Sequence, residues 1–268
     1  LGGVNARKLV IFVGCYLYSM LCCLFLFGGG FLRGKNRSLI YRIAAHFGPF
    51  DLSLIKPKPL IPKVRSSGLL VSGEGVRIME PATVDGNVTP LELIVINQLV
   101  RRYRPERLFE IGTFDGRTTL NMAANTSGHA RVYTLDLPRA GLDATKLEIV
   151  PWESSYIDKE APGARFTATE YRRKITQLYG DSARFDFSPF VGKMDFVFVD
   201  GSHSYAYVLN DSKHALELLR NKGGVILWHD YDAWDGVTDA LNELYKEKPE
   251  FRRLKHIEGT TLVCLVPD

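Results

Sequence analysis

From residue 89 onward, the apolar positions alternate between a helical and a strand period. Thr89-Pro90-Leu91-Glu92 is a capping box with Pro at the first helical position, and it predicts a helix over 90–104 that stops before Pro105. A continuous apolar strand is predicted at 107–111, then a glycine-containing turn, a helix at 118–126 closed by Gly128, and a strand at 131–135 ending on Asp136. Further strands are predicted at 183–187 and 195–199. They are followed by an amphipathic helix at 204–220 closed by Gly223-Gly224, a buried strand at 225–228, a helix at 236–246, and a hairpin of 252–257 with 261–266. Apolar strands spaced by helices imply a parallel sheet covered on both faces. Residues 138–175, with Pro138, Pro151, Pro162 and Gly163, fit neither period and read as a long polar excursion of the kind that forms lids or binding loops. Trp152 and Tyr156 are its candidate acceptor contacts.

The N-terminal pattern differs. Leu9 to Phe27 is an uncharged apolar run, followed by Gly28-Gly29-Gly30-Phe31-Leu32. It has the length of a bilayer-spanning helix, about 20 residues. A cleaved signal peptide is the competing reading, with the glycine triplet as a small-residue site, but its apolar core would be shorter. A hydrophobic helix packed on a partner is a third.

Charge reinforces this division. Residues 1–65 carry ten Lys/Arg against one acid, Asp51, whereas residues 66–268 carry 24 against 29, within a net charge of +4. The acidic balance of the larger part excludes a nucleic-acid binder. Arg33, Lys35, Arg37 and Arg42 follow the apolar run and outnumber Arg7 and Lys8 before it, which predicts a single-pass membrane protein with its large domain on the cytoplasmic side. The expected organisation is therefore an anchor helix at 1–32, a basic, Pro-containing linker at 33–83 lying against anionic headgroups, and a large α/β domain at 84–268. Cys15, Cys22, Cys23 and Cys264 have neither zinc-ligand nor disulfide spacing.

In parallel sheets, ligands bind beyond the carboxyl ends of the strands. Those ends here are Glu110-Ile111-Gly112, Asp136, Asp200 and His229-Asp230. The loop after the first strand, Thr113-Phe114-Asp115-Gly116, lacks the glycine pattern of a pyrophosphate cradle, and no phosphate-binding P-loop occurs, which counts against a nicotinamide-dependent oxidoreductase. Glu110 would repel phosphate and suits a cation, Gly112 and Gly116 let backbone approach a ligand, and Asp136 can accept both ribose hydroxyls. These features fit a nucleoside with a cationic tail, such as S-adenosylmethionine.

The segments VTPLEL, FEIGTFDGRTT, LDLP, QLYGDSARFDF, DFVFVDGSHSYAYVLND and GGVILWHDY, in this order over roughly residues 84–266, resemble the class I S-adenosylmethionine-dependent methyltransferases. The nearer likeness is to the branch of macrocin O-methyltransferases and cephalosporin hydroxylase-like proteins. The resemblance implies a Rossmann-like α/β fold: a seven-stranded sheet, helices on both faces, a C-terminal antiparallel hairpin. It implies that Glu110, Gly112, Thr113, Phe114 and Gly116 surround the methionine part, that Asp136 holds the ribose, and that Asp181 and Ser182 lie by the adenine.

Methyl transfer to oxygen needs an aligned acceptor and removal of its proton. His203 lies three residues past Asp200 and, as a neutral imidazole near its ordinary pKa of about 6.5, suits a general base. In the related catechol O-methyltransferases a lysine fills this position. Asp200, His229 and Asp230 resemble those enzymes' divalent-metal ligands. His229 replaces a carboxylate there, which favours Mn²⁺ or Zn²⁺ over Mg²⁺. In a metal-free site, Asp230 would instead orient His203 or the acceptor. Tyr205, Tyr231 and Trp234 are candidates for shaping the acceptor pocket. The expected function is membrane-tethered O-methylation of a small-molecule, sugar or lipid-linked acceptor. The alternative is a methyltransferase-fold structural subunit of a membrane complex with little or no catalysis.

Overall fold

The structure, a computed structural model, describes residues 6–33, 36–37, 39–40, 43–44, 57–69, 75–150, 153–158, 161–220 and 223–267. The chain divides into two compact units, Leu1–Lys56 and Pro57–Asp268. The first contains the helix Ala6–Gly28. Its Val10–Gly28 portion, 19 residues at a mean hydropathy of 2.3, is long and apolar enough to cross a membrane. The basic residues Lys35 and Arg42 lie outside the described residues.

The second unit is built on an eight-stranded sheet: β1 Lys63–Val64, β2 Arg107–Ile111, β3 Arg131–Asp136, β4 Ile175–Tyr179, β5 Phe196–Val199, β6 Val225–Trp228, β7 Lys255–Ile257 and β8 Val263–Leu265. The spatial order is β1-β7-β8-β6-β5-β2-β3-β4. β8 runs antiparallel to both its neighbours and every other pairing is parallel. β2–β8 form the seven-stranded sheet with a C-terminal antiparallel hairpin that the sequence resemblance implies. The chain order reverses at β2, which lies between β3 and β5, and this opens a crevice at the carboxyl ends of β2 and β5.

The period of two along the strands sorts the core. Leu108, Phe196, Phe198, Val225 and Leu227 pack on one face with the helices Pro90–Tyr103 and Arg117–Asn125. Phe109, Ile111, Val197, Val199, Ile226 and Trp228 pack on the other with Tyr205–Leu218 and Asp235–Glu247. The capping box forms as expected: Thr89 accepts from the Glu92 backbone N–H while the Glu92 carboxylate accepts from the Thr89 N–H.

Two expectations are corrected. The strand expected at 183–187 lies instead at Ile175–Tyr179. Phe185 and Phe187 are apolar because they join a ring cluster with Phe109 and Phe190 rather than a strand. β4 is an edge strand, so its ITQLY sequence need not be continuously apolar. The expected linker 33–83 is divided, since from Pro57 the chain belongs to the larger unit. β1 joins the sheet edge, and Leu60 and Ile61 donate their backbone N–H groups to the Tyr231 hydroxyl. Farther on, Arg77 and Met79 are held through their backbones by Asn97, Asn121 and Asn125.

Candidate functional site

A cavity of about 360 Å³ opens at the crevice, and the strand ends supply its wall. β2 delivers Gly112, whose φ is 99° and where an added Cβ would sit 2.0 Å from the Asp200 carbonyl oxygen. Only glycine lets the two loops approach this closely. Phe114 follows with φ 49° and packs edge-on against Tyr156, 6.1 Å between centroids. Asp136, at the end of β3, is buried in the wall beside Leu137. After β4 come Asp181 and Ser182. Asp181 accepts from the Tyr207 hydroxyl at 2.8 Å and the Lys146 backbone N–H at 2.8 Å, so the turn is held from two sides. β5 ends in Asp200 and leads to His203, and β6 ends in His229 and Asp230. All these residues line the same cavity, with Ile149, Ile157 and Trp234 among its apolar surfaces.

The two histidines are embedded in carboxylates. His203 Nε2 lies 2.7 Å from Asp230 and Nδ1 2.5 Å from Glu153, which also accepts from the His203 backbone N–H and, at 3.0 Å, from the Ser202 hydroxyl. Trp234 stacks on the imidazole at 4.2 Å. His229 Nδ1 lies 2.9 Å from Asp200 and 3.2 Å from Asp230, and its Nε2 3.3 Å from Glu92. Burial lowers the pKa of His203, but hydrogen bonds and charge from Asp230 and Glu153 outweigh it and raise the value to about 9. His229 is likewise disfavoured as a cation by burial, yet Asp200 and Asp230 hold it well above the ordinary imidazole range. The carboxylates respond in the opposite sense. Burial raises Glu92, but His229 and Thr261 bring it down to about 2. Glu153 and Asp230 are also lowered by their imidazoles against the pull of burial. The expectation of a neutral His203 at neutral pH is thus corrected: between two carboxylates it is an imidazolium there.

Asp200, His203 and Asp230 can bring one ligand atom each within 4.8 Å of one another. This set shares Asp200 and Asp230 with the expected metal ligands and exchanges His229 for His203. Two carboxylates and an imidazole suit a divalent cation, but the imidazole must first lose its proton, so cation and proton compete for the same carboxylates.

Three expected cofactor residues stand behind the wall rather than in it. Glu110 is fully buried, accepting from the hydroxyls of Thr119 and Thr134. Its burial, helped by the charges of Asp200 and Asp136, outweighs those hydrogen bonds and raises its pKa to about 8. At neutral pH it is an uncharged acid that supports the loop, not a counter-charge for a sulfonium. Thr113 is buried between Thr134, 2.6 Å away, and Gln177, 3.0 Å away. A Cβ at Gly116 would meet Phe166 at 2.6 Å, so this glycine serves packing against residues 163–166. Of the candidate acceptor contacts, Trp234 and Tyr156 line the cavity, while Tyr231 is buried against the 57–61 segment and Tyr205 bonds Glu243 at the surface. Trp152 lies outside the described residues.

Sequence reasoning missed Glu92 and Glu153. Glu92 was legible as a capping residue, and it does cap. A single Glu at that position could not reveal that the cap also faces His229 and the Thr261 backbone. Glu153 lies in the 138–175 excursion, where no period or spacing announces a buried carboxylate.

Residues 109–231 match the family model described as a methyltransferase domain. Among solved structures, the chain is similar to the O-methyltransferase TomG of Streptomyces achromogenes, involved in tomaymycin synthesis and solved with S-adenosylmethionine. The identity is 18%, the TM-score 0.47, and the match covers 69% of this chain and 83% of that one. It is also similar to a Podospora anserina methyltransferase bound to S-adenosylhomocysteine, at 17% identity and a TM-score of 0.49, covering 69% and 81%. A third likeness is to an O-methyltransferase of Bacillus cereus with S-adenosylhomocysteine, at 18% identity and a TM-score of 0.47, covering 68% and 84%. Among curated proteins, none matches the chain.

Proposed function

We propose that this chain, whose residues 109–231 match a methyltransferase-domain model, transfers the methyl group of S-adenosylmethionine to a hydroxyl oxygen while the apolar helix Ala6–Gly28 tethers it to a membrane. The single observation that carries the reading is one cavity with two kinds of wall. Asp136, the Gly112 backbone and the Asp181-Ser182 turn line one part, and the His203–Asp230 pair lines another. The first group suits a nucleoside: Asp136 accepts ribose hydroxyls, Gly112 permits close backbone contact, and Asp181 and Ser182 flank the base. When bound, the cofactor supplies an electrophilic methyl group.

The remaining chemistry falls to the chain. The acceptor hydroxyl must lose a proton as its oxygen is methylated, and the His203 ring is the base, in the fraction of molecules where it is neutral. Glu153 holds the ring through Nδ1, Asp230 yields Nε2 to the acceptor hydroxyl so that this nitrogen takes the proton, and both carboxylates stabilise the charge the ring acquires. Trp234, Phe114, Tyr156, Ile149 and Ile157 exclude water from the acceptor. A divalent cation, where present, would be held by Asp200 and Asp230 with an imidazole and would acidify the acceptor hydroxyl. The reading is tested by measuring S-adenosylhomocysteine formation against a panel of hydroxyl acceptors. His203→Gln should lower kcat by about 10²–10⁴-fold and leave donor binding intact. Undiminished turnover in that variant would refute the assignment.

A further inference from the structure

The end of the sheet opposite the cavity carries a charge pattern that methyl transfer does not use. Seven strands, β1–β7, run parallel and so begin at one edge. An exposed cation opens or precedes each of them: Lys63 at β1, Arg107 at β2, Arg131 at β3, Arg173 before β4, Lys193 before β5, Arg220 before β6 and Arg253 before β7. Acids are fewer there. Asp195 accepts from the backbone of Glu106 and Arg107 and lies 3.5 Å from Arg220, and Glu106, Glu170, Glu217 and Glu250 are exposed. At the other end, the same strands run out into Asp136, Asp200 and Asp230. The unit is therefore polarised along its strands, cationic where they start and anionic where they finish.

Helix ends explain part of this, because cations favour helix C-termini. Lys63, Arg107, Arg131, Lys193 and Arg253 lie outside any helix, so that account leaves most of the edge unexplained. Strand spacing spreads the row over roughly 30 Å. The cavity at this edge, about 290 Å³, takes in Arg220 of the row but also Glu106 and Asp195, so a row this wide suits an extended anionic plane better than a single anionic ligand. The same chain carries a helix of bilayer length. We propose that the strand-start edge of residues 57–268 docks on the anionic headgroups of a membrane. Docked this way, the cavity opens on the far side, about 15 Å or more from the lipid given five-residue strands, and the methyl acceptor enters from water rather than from the bilayer. The acceptor's route rests on the methyl-transfer reading above; the docking does not.

The test uses the full chain reconstituted in phosphatidylcholine vesicles, with and without phosphatidylserine, and amide hydrogen exchange as the readout. Exchange at 127–131 and 252–254 should slow several-fold only on the phosphatidylserine vesicles, while 258–260, at the opposite end, stays unchanged. The protection should vanish at about 1 M salt, where the screening length is about 3 Å. It should also vanish in Arg131→Glu/Arg253→Glu, with S-adenosylmethionine binding retained. Equal exchange on both vesicle types, salt-insensitive protection, or protection that survives the double substitution would each overturn the docking. The salt arm needs no variant, so a misfolded mutant does not block the test. Loss of donor binding in the parent protein would strike the methyl-transfer reading and leave the docking standing.

Discussion

At the scale of single residues, the site works by burying charges against one another. His203 keeps its proton up to about pH 9 because Asp230 and Glu153 flank it, even though burial alone would strip it. If its neutral form is the base, kcat/KM rises about tenfold per pH unit at lower pH and levels off near pH 9. Glu153→Gln removes one flanking carboxylate, so the levelling point should move to lower pH. A flat profile between pH 6 and about 9 would contradict this role for His203. Glu110 makes a different prediction. Its folded pKa, about 8, lies above the ordinary 4.5. Its contribution to stability is therefore fully present below pH 4.5 and is lost as pH rises toward 8, with a slope of at most about 1.4 kcal/mol per pH unit. Glu110→Gln imitates the protonated acid and escapes this loss. In denaturant melts at pH 5 and 8, the variant should gain stability relative to the parent at the higher pH. A parent–variant difference that does not change with pH would show Glu110 to be ionised in the fold. Placement at the cavity was legible where a residue ends a strand, as with Asp136, Asp200 and Asp230. It was not legible for Glu110, because a strand's last residues alternate between cavity and core, and the sequence does not show which way the carboxylate turns.

At the scale of elements, the site depends on parts distant in sequence. The extended segment 75–81 lies across the two helices on one face of the sheet. Asn121 holds it by accepting from the Met79 N–H and donating to the Met79 carbonyl, both at 2.9 Å. Arg117 donates to the carbonyls of Glu80 and Val88 from a buried position. The next residues, Asp85, Gly86 and Asn87, reach the cavity wall, where Asp85 accepts from the Tyr156 hydroxyl. Asn121→Ala should leave buried backbone groups of this segment unsatisfied and cost about 1–3 kcal/mol in a denaturant titration. A change under about 0.5 kcal/mol would mean the segment holds without it. Helices and central strands could be read from the sequence because their own periods encode them. The segments 57–69 and 75–84 have no period and are ordered by other elements, the first by the Tyr231 hydroxyl and the β7 backbone and the second by asparagine side chains, so they read as linker. The misplaced fourth strand has the same cause: an edge strand carries less of the apolar signal than the ring cluster that follows it.

At the scale of the whole molecule, the division into a basic, apolar N-terminal part and an acidic larger part was legible in charge counts alone. The polarity within the larger unit was not, because its cations are scattered in sequence and come together only through the parallel sheet. That arrangement carries the lipid-docking prediction, to be read by hydrogen exchange. It also relates the two ends: cations face the proposed membrane, and the carboxylate-lined cavity faces away.

The cavity at the ends of β2–β4 is proposed to accept S-adenosylmethionine through Asp136. Isothermal titration calorimetry of the full chain with S-adenosylmethionine measures this most directly. Saturable binding near one per chain is predicted, weakened at least about tenfold in Asp136→Ala as hydrogen bonds to a charged group are lost. No binding heat in the parent at any temperature, or equal affinity in Asp136→Ala, would contradict it.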